Sequence, residues 1–122
     1  MSKPFVEPHI GDAPQDLIIE DITTGDGDEA VAGRNVLVHY VGIAASTGEE
    51  FDASWNRNEK FEFPLGAGYV IGGWDKGVQG MKVGGRRRLV IPAHLGYGNQ
   101  GAGGVIKPGE TLIFVVDLYE VR

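Results

Sequence analysis

At 122 residues the chain is long enough for one domain with a single modest core, and 42% apolar with 23% charged residues is ordinary globular usage. Eleven Lys and Arg against 17 Asp and Glu leave a net charge of −6, which argues against a nucleic-acid partner, and the absence of cysteine excludes disulfides, thiolate zinc sites, iron–sulfur clusters and thiol catalysis. The anomaly is glycine, 20 residues of 122, more than twice the average share of about 7%.

Residues 1–15 hold Pro4, Pro8 and Pro14 and little periodicity, and read as a mobile or loosely docked tail before a folded domain at 16–122. The tail has no apolar run resembling a secretory signal, and no stretch approaches the roughly 18 apolar residues of a membrane span. A cytoplasmic monomer is the expectation. Leu17 to Ile22 is a first strand, followed by turn chemistry at Thr24-Gly25-Asp26-Gly27-Asp28. Val36 to Gly42 is β-branched and aromatic, with Val36, Val38 and Tyr40 on one face and His39 on the other. Glu50-Phe51-Asp52-Ala53 and Lys60-Phe61-Glu62-Phe63 are short strands. Val70, Ile71, Trp74, Val78 and Met81 break the alternation at spacings of three and four, the stripe of one glycine-rich helix that only packing could hold. Arg88 to Ile91 and Thr111 to Val121 complete the strands, with Leu112, Phe114, Val116 and Leu118 sharing a face. Five or six antiparallel strands with one short helix make an α+β layout.

Several motifs point to chemistry that their context does not support. Gly96-Tyr97-Gly98-Asn99-Gln100-Gly101 is a literal GxGxxG, but Ala102 to Pro108 cannot form the helix that a dinucleotide site requires. Asp26, Asp28 and Glu29 lack the glycine placement and bidentate Glu of a calcium loop. His9, His39 and His94 are far apart, and His39 is read as a structural or surface residue rather than a metal ligand. None of the three serines sits in a nucleophile elbow. Arg86-Arg87-Arg88 is read as a solvated edge that pairs with acids. Neither metal nor cofactor is expected. What remains is seven aromatics beside turns, with Asp52 and Arg57 five apart among them. A carboxylate–guanidinium pair buried there would be expensive unless well hydrogen-bonded, and hints at a pocket with a polar organising network.

The ordered series Val38-His39-Tyr40-Val41-Gly42, Phe51-Asp52-Ala53-Ser54, Phe61 to Gly66, Val70-Ile71-Gly72-Gly73-Trp74, Gly77 to Gly85, Ile91-Pro92, Leu95-Gly96-Tyr97-Gly98 and Leu112-Ile113-Phe114 closely resembles the FKBP-type peptidyl-prolyl cis-trans isomerases, the tacrolimus- and rapamycin-binding immunophilins. The resemblance spans about Asp16 to Arg122. It implies a half-barrel sheet wrapped around the helix, with Trp74 as the floor of an apolar cleft and Tyr40, Phe51, Phe61, Val70, Ile71, Tyr97, Ile106 and Phe114 as its walls. It implies that Tyr40, Phe51, Asp52, Trp74, Tyr97 and Phe114 are catalytic, and that Arg57, Phe61, Val70, Ile71, Val105 and Ile106 bind substrate. The Tyr97 hydroxyl and Ile71 N–H would bond carbonyls, Asp52 would orient Tyr40 and pair with Arg57, and Gly96 to Gly104 would belong to a flap over the cleft. The implied partners are proline-containing polypeptides and the two macrolides. Tyr69, Ala102, Gly103 and Lys107 depart from the best-known members. The alternative kept beside the enzyme is a proline-binding folding helper or partner-binding module in which isomerase activity is incidental.

Overall fold

The computed structural model describes residues 1–122. In chain order the strands are β1 (Ile18–Thr23), β2 (Asn35–Ala44), β3 (Glu50–Ala53), β4 (Phe61–Pro64), β5 (Arg86–Ile91) and β6 (Leu112–Val121), and one helix, α1 (Gly72–Gly77), lies between β4 and β5. A one-turn 3-10 helix, Ser54–Arg57, separates β3 from β4. All pairings are antiparallel, in the order β1-β5-β6-β2-β3, with β4 also on β2. Since one edge of β2 is taken by β6, β3 and β4 share the other edge. They pair with Val41 to Ile43 and with Asn35 to Val38 respectively, which leaves His39 and Tyr40 opposite the break between them.

The alternation of β2 and β6 buries both faces of the sheet. Val36, Val38, Tyr40, Leu112, Phe114, Val116 and Leu118 join Trp74, Val78, Leu89 and Ile91 in the main core. Val41, Ile43, Val90, Ile113 and Val115 form a second apolar cluster on the opposite face. That second face is covered by the segment expected to be a tail. Val6 is 5% exposed within this cluster, Arg86 and Arg88 donate to the carbonyls of Ser2 and Glu7, and Lys3 pairs with Glu50 at 2.9 Å.

Two expectations are corrected. The apolar stripe over 70–81 is helical only at 72–77: Ile71 before it has extended backbone (φ −58°, ψ 150°), and Gly80 beyond it has φ 89°. Val78 and Met81 keep their core positions from the following turns. The arginine run is no edge, because β5 lies between β1 and β6. Each arginine does meet an acid: Arg86 grips the fully buried Asp117, Arg87 pairs with Asp21, and Arg88 with Glu20. Arg87 also donates to the carbonyls of Gly77 and Gln79, closing the end of α1. No helix is long and apolar enough to cross a membrane.

A six-residue helix containing three glycines has no stability of its own. It holds because Gly73 and Gly77 let its backbone lie against Ile91 and Leu89; a Cβ at Gly73 would come within 2.5 Å of Ile91 Cγ2. Gly73→Ala is therefore expected to lower stability by about 1–3 kcal/mol through overpacking, although alanine favours a helix over glycine by about 1 kcal/mol. Urea unfolding should show a lower midpoint at unchanged slope; a raised midpoint would mean that propensity, not packing, limits α1.

Candidate functional site

Between α1 and the interrupted edge of β2 lies a cleft of about 450 Å³ with a mainly apolar lining. Trp74, 4% exposed and carried on α1, underlies it. Around the indole stand Tyr40, with ring centroids 4.9 Å away, Phe114 at 5.2 Å and Phe61 at 6.0 Å, all in edge-on or T-shaped geometry. Phe51 meets Phe114 edge-on at 5.5 Å. Such arrangements put the positive edge of one ring against the negative face of another and fix ring orientation as well as area. Gly42 makes room for two of these rings: a Cβ there would lie 2.6 Å from Phe114 and 2.7 Å from Phe51.

Of the site residues named from the sequence, Tyr40, Phe51, Asp52, Phe61, Val70, Ile71, Trp74, Tyr97 and Phe114 all line this one cleft. Arg57 stands behind it, donating to Tyr40 and Asp52. Val105 and Ile106 do not line it. The segment Ala102–Ile106 closes on itself through three backbone hydrogen bonds, turning Ile106 into the main core and leaving Val105 61% exposed beside a separate groove. Of the expected flap, Tyr97 alone reaches the cleft lining.

Two lining residues were not placed in the site from sequence: Gly68 and Tyr69. Tyr69 is 77% exposed at the rim. Their loop is pinned by Asp75 on α1, whose carboxylate accepts the N–H groups of Gly66 and Gly68, each at 2.9 Å. An aromatic between a glycine and the Val70-Ile71 pair was the available signal. Three donors of the cleft have no partner within the chain: the Tyr97 hydroxyl, the Ile71 N–H and the buried Trp74 Nε1.

A family model described as FKBP-type peptidyl-prolyl cis-trans isomerase matches residues 27–119. The chain is 66% identical over 122 residues to an FK506-binding protein of Streptomyces anulatus, covering 99% of this chain and 98% of that protein. It is 51% identical over 118 residues to a probable FK506-binding protein of Corynebacterium glutamicum, covering 97% and 98%. The chain belongs to the FKBP-type peptidyl-prolyl cis-trans isomerases. Among solved structures, AtFKBP13 superposes with a TM-score of 0.80 at 38% identity over 90% of this chain and 96% of that one. FkpA from Escherichia coli gives 0.80 at 33% identity over 98% of this chain and 53% of that one.

The isomerase keeps one polar network at the edge of its apolar cleft. Tyr40 donates to Asp52 Oδ2 at 2.6 Å, and Arg57 donates to Asp52 Oδ1 at 2.7 Å and to the Tyr40 oxygen at 2.9 Å. The Asp52–Arg57 pair, expected to be buried, is half-exposed, with side chains 40% and 50% accessible. Water therefore reaches both charges and no large desolvation cost arises. Burial on its own would raise the Asp52 carboxyl, but the hydrogen bonds from Tyr40 and Arg57 and the guanidinium charge outweigh it and hold Asp52 below its ordinary value. Burial, reinforced by the bond to Asp52, pushes the Tyr40 phenol above its ordinary value. The hydrogen bond to Asp52 likewise raises Arg57.

These directions keep the network in one protonation state, Asp52 ionised and Tyr40 protonated, across the neutral range. A depressed carboxyl stabilises the fold above its unfolded pKa and loses that contribution as pH falls towards its folded one. The kcat/KM of the isomerase is therefore expected to be flat from about pH 5 to pH 9, declining only in acid where Asp52 takes up a proton. A titration with a midpoint near neutrality would place an essential acid or base outside this network.

Proposed function

We propose that the chain accelerates rotation about X–Pro bonds of polypeptides by non-covalent desolvation and twisting of the imide in the Trp74 cleft, and that tacrolimus (FK506) and rapamycin occupy the same cleft and inhibit it. The observation that carries this is the pairing of an aromatic cleft with two unpartnered donors, Tyr97 Oη and Ile71 N–H. Such donors hold the carbonyls that flank a proline while leaving the imide itself among rings.

The chemistry requires no nucleophile. Amide resonance sets a barrier of about 18–20 kcal/mol, while the cis and trans forms of X–Pro differ by only about 0.5–1 kcal/mol. In the twisted transition state resonance is lost, charge separation across C, O and N falls, and the nitrogen pyramidalises. An apolar wall disfavours the polar planar imide more than the twisted one, which is binding energy expressed in the transition state. Trp74, Phe51, Phe61 and Phe114 supply that wall, and the residue before proline is proposed to be apolar. The Tyr40–Asp52–Arg57 network binds and orients at the cleft edge without exchanging protons.

An isomerisation assay on a Leu-Pro or Phe-Pro peptide should show acceleration above the thermal rate at micromolar protein, abolished by tacrolimus. Thermal rates alone would sink the enzymatic proposal, and activity indifferent to tacrolimus would sink the shared cleft. Phe51→Ala, on a half-buried ring, should cut kcat/KM by about tenfold, equivalent to ~1.4 kcal/mol of transition-state stabilisation, with far-UV circular dichroism unchanged. Full activity in that variant would move the substrate away from this wall.

A further inference from the structure

We propose that Ser54 and His39, on the face of β2 turned away from the cleft, are positioning residues for the isomerase: through the 3-10 turn Ser54–Arg57 they set where Arg57 meets Asp52 and Tyr40. This rests on the preceding assignment of that network to the site.

The geometry begins where β3 leaves the sheet. The ladder pairs Gly42 with Asp52 and Val41 with Ala53, so the next rung would be Tyr40 with Ser54. There the backbone ladder stops, and Ser54 Oγ accepts the Tyr40 N–H at 2.7 Å in place of a carbonyl. Ser54 is fully buried. Its hydroxyl lies 2.7 Å from His39 Nδ1 and donates at 3.4 Å towards the Tyr40 carbonyl; in this proposal the single hydroxyl proton goes to the shorter contact, with the imidazole. In that arrangement Nδ1 accepts and the neutral ring carries its proton on Nε2. Its burial favours the neutral form, the Lys60 charge acts in the same direction, and Asp117 opposes them. Trp55 stacks on His39 at 4.1 Å with 16° between planes, and Tyr119 meets the ring edge at 5.4 Å. The imidazole is held on both sides.

A 3-10 helix has three residues per turn, so side chains three apart lie one above the other. Ser54 and Arg57 are three apart. The same turn therefore grips Tyr40 twice, by its N–H through Ser54 and by its hydroxyl through Arg57. Arg57 is itself half-exposed on a long stem, so its placement depends on the anchored end of the turn as well as on its bonds to Asp52 and Tyr40. Neither Ser54 nor His39 lines the cleft. Their effect reaches the substrate only through Arg57 and the Tyr40–Asp52 pair.

The test is a cycle of kcat/KM values on a Leu-Pro peptide for the full chain, Ser54→Ala, Arg57→Leu and the double variant, with the Asp52 carboxyl followed by 13C NMR titration. Ser54→Ala is expected to lower kcat/KM by about three- to tenfold, the size of one hydrogen bond's net contribution. It should add nothing in the Arg57→Leu background, and it should move the Asp52 titration upward as Arg57→Leu does. Multiplying losses with an unmoved Asp52 titration would overturn the proposal. Should Ser54→Ala unfold, His39→Asn and His39→Leu decide: the amide oxygen of Asn can still accept the Ser54 proton and should retain activity, whereas Leu should lose it. Equal activity in the two would equally overturn the proposal. If Arg57→Leu itself keeps full kcat/KM, the assignment of the network to substrate fails instead, and the Asp52 titration still decides whether Ser54 positions Arg57.

Discussion

Everything in the site depends on an interruption along one edge of β2. Had β3 run on into β4, the N–H of Tyr40 would bond a strand carbonyl and no chain could turn in beside the phenol. Instead β3 ends at Ala53, β4 begins at Phe61, and the excursion between them brings Ser54 and Arg57 to Tyr40. Backbone groups next to a broken ladder normally carry a penalty, because an unpaired buried N–H costs about 1–3 kcal/mol. The serine hydroxyl removes that cost at the Tyr40 rung. The break is thus affordable structurally, and it gives the sheet an opening lined by aromatic rings.

A second constraint concerns polarity. The proposed mechanism, in which the cleft favours a less polar transition state, requires that no free charge face the imide, yet Asp52 lines the cleft. Both Asp52 oxygens are occupied, Oδ2 by Tyr40 and Oδ1 by Arg57, so the carboxylate's field is answered sideways rather than into the cleft. Keeping the ion pair half in water avoids the several kcal/mol per ion that full burial would demand. The groups left unpaired are instead neutral donors, among them Tyr97 Oη and Ile71 N–H, which can bond a carbonyl without bringing charge to the imide.

Strand positions and inward faces were legible in the sequence because period-2 alternation is a local property: Val36, Val38 and Tyr40 do point into the main core, as do Leu112, Phe114, Val116 and Leu118. The second buried face was not, since Val41, Ile43 and Val115 are covered by Val6, from a segment with no pattern of its own. The helix ends were not legible because Val70, Ile71, Val78 and Met81 keep an apolar spacing of three and four while the backbone is extended before Gly72 and turned after Gly77. The cleft lining was legible mainly through the ordered family motifs. The resemblance as a whole also named Val105 and Ile106, although a short antiparallel turn sends neighbouring residues to opposite sides. Nothing local distinguishes Ser54 from any serine after a strand; its bond to the Tyr40 N–H exists only where two strands stop short of one another.

The glycine excess takes its meaning from the same packing. Gly42 yields its side-chain space to Phe114 and Phe51, and Gly73 and Gly77 yield theirs to Ile91 and Leu89. Each helical glycine forgoes about 1 kcal/mol of propensity, so α1 is held by the sheet rather than by its own hydrogen bonds. Trp74 consequently belongs to both the core cluster and the cleft. Floor and foundation are the same side chain, so the isomerase has no separate layer in which to absorb change beneath its site. Substitutions that loosen α1 should reach the cleft directly, whereas the exposed rim at Tyr69 is free to vary without disturbing the core.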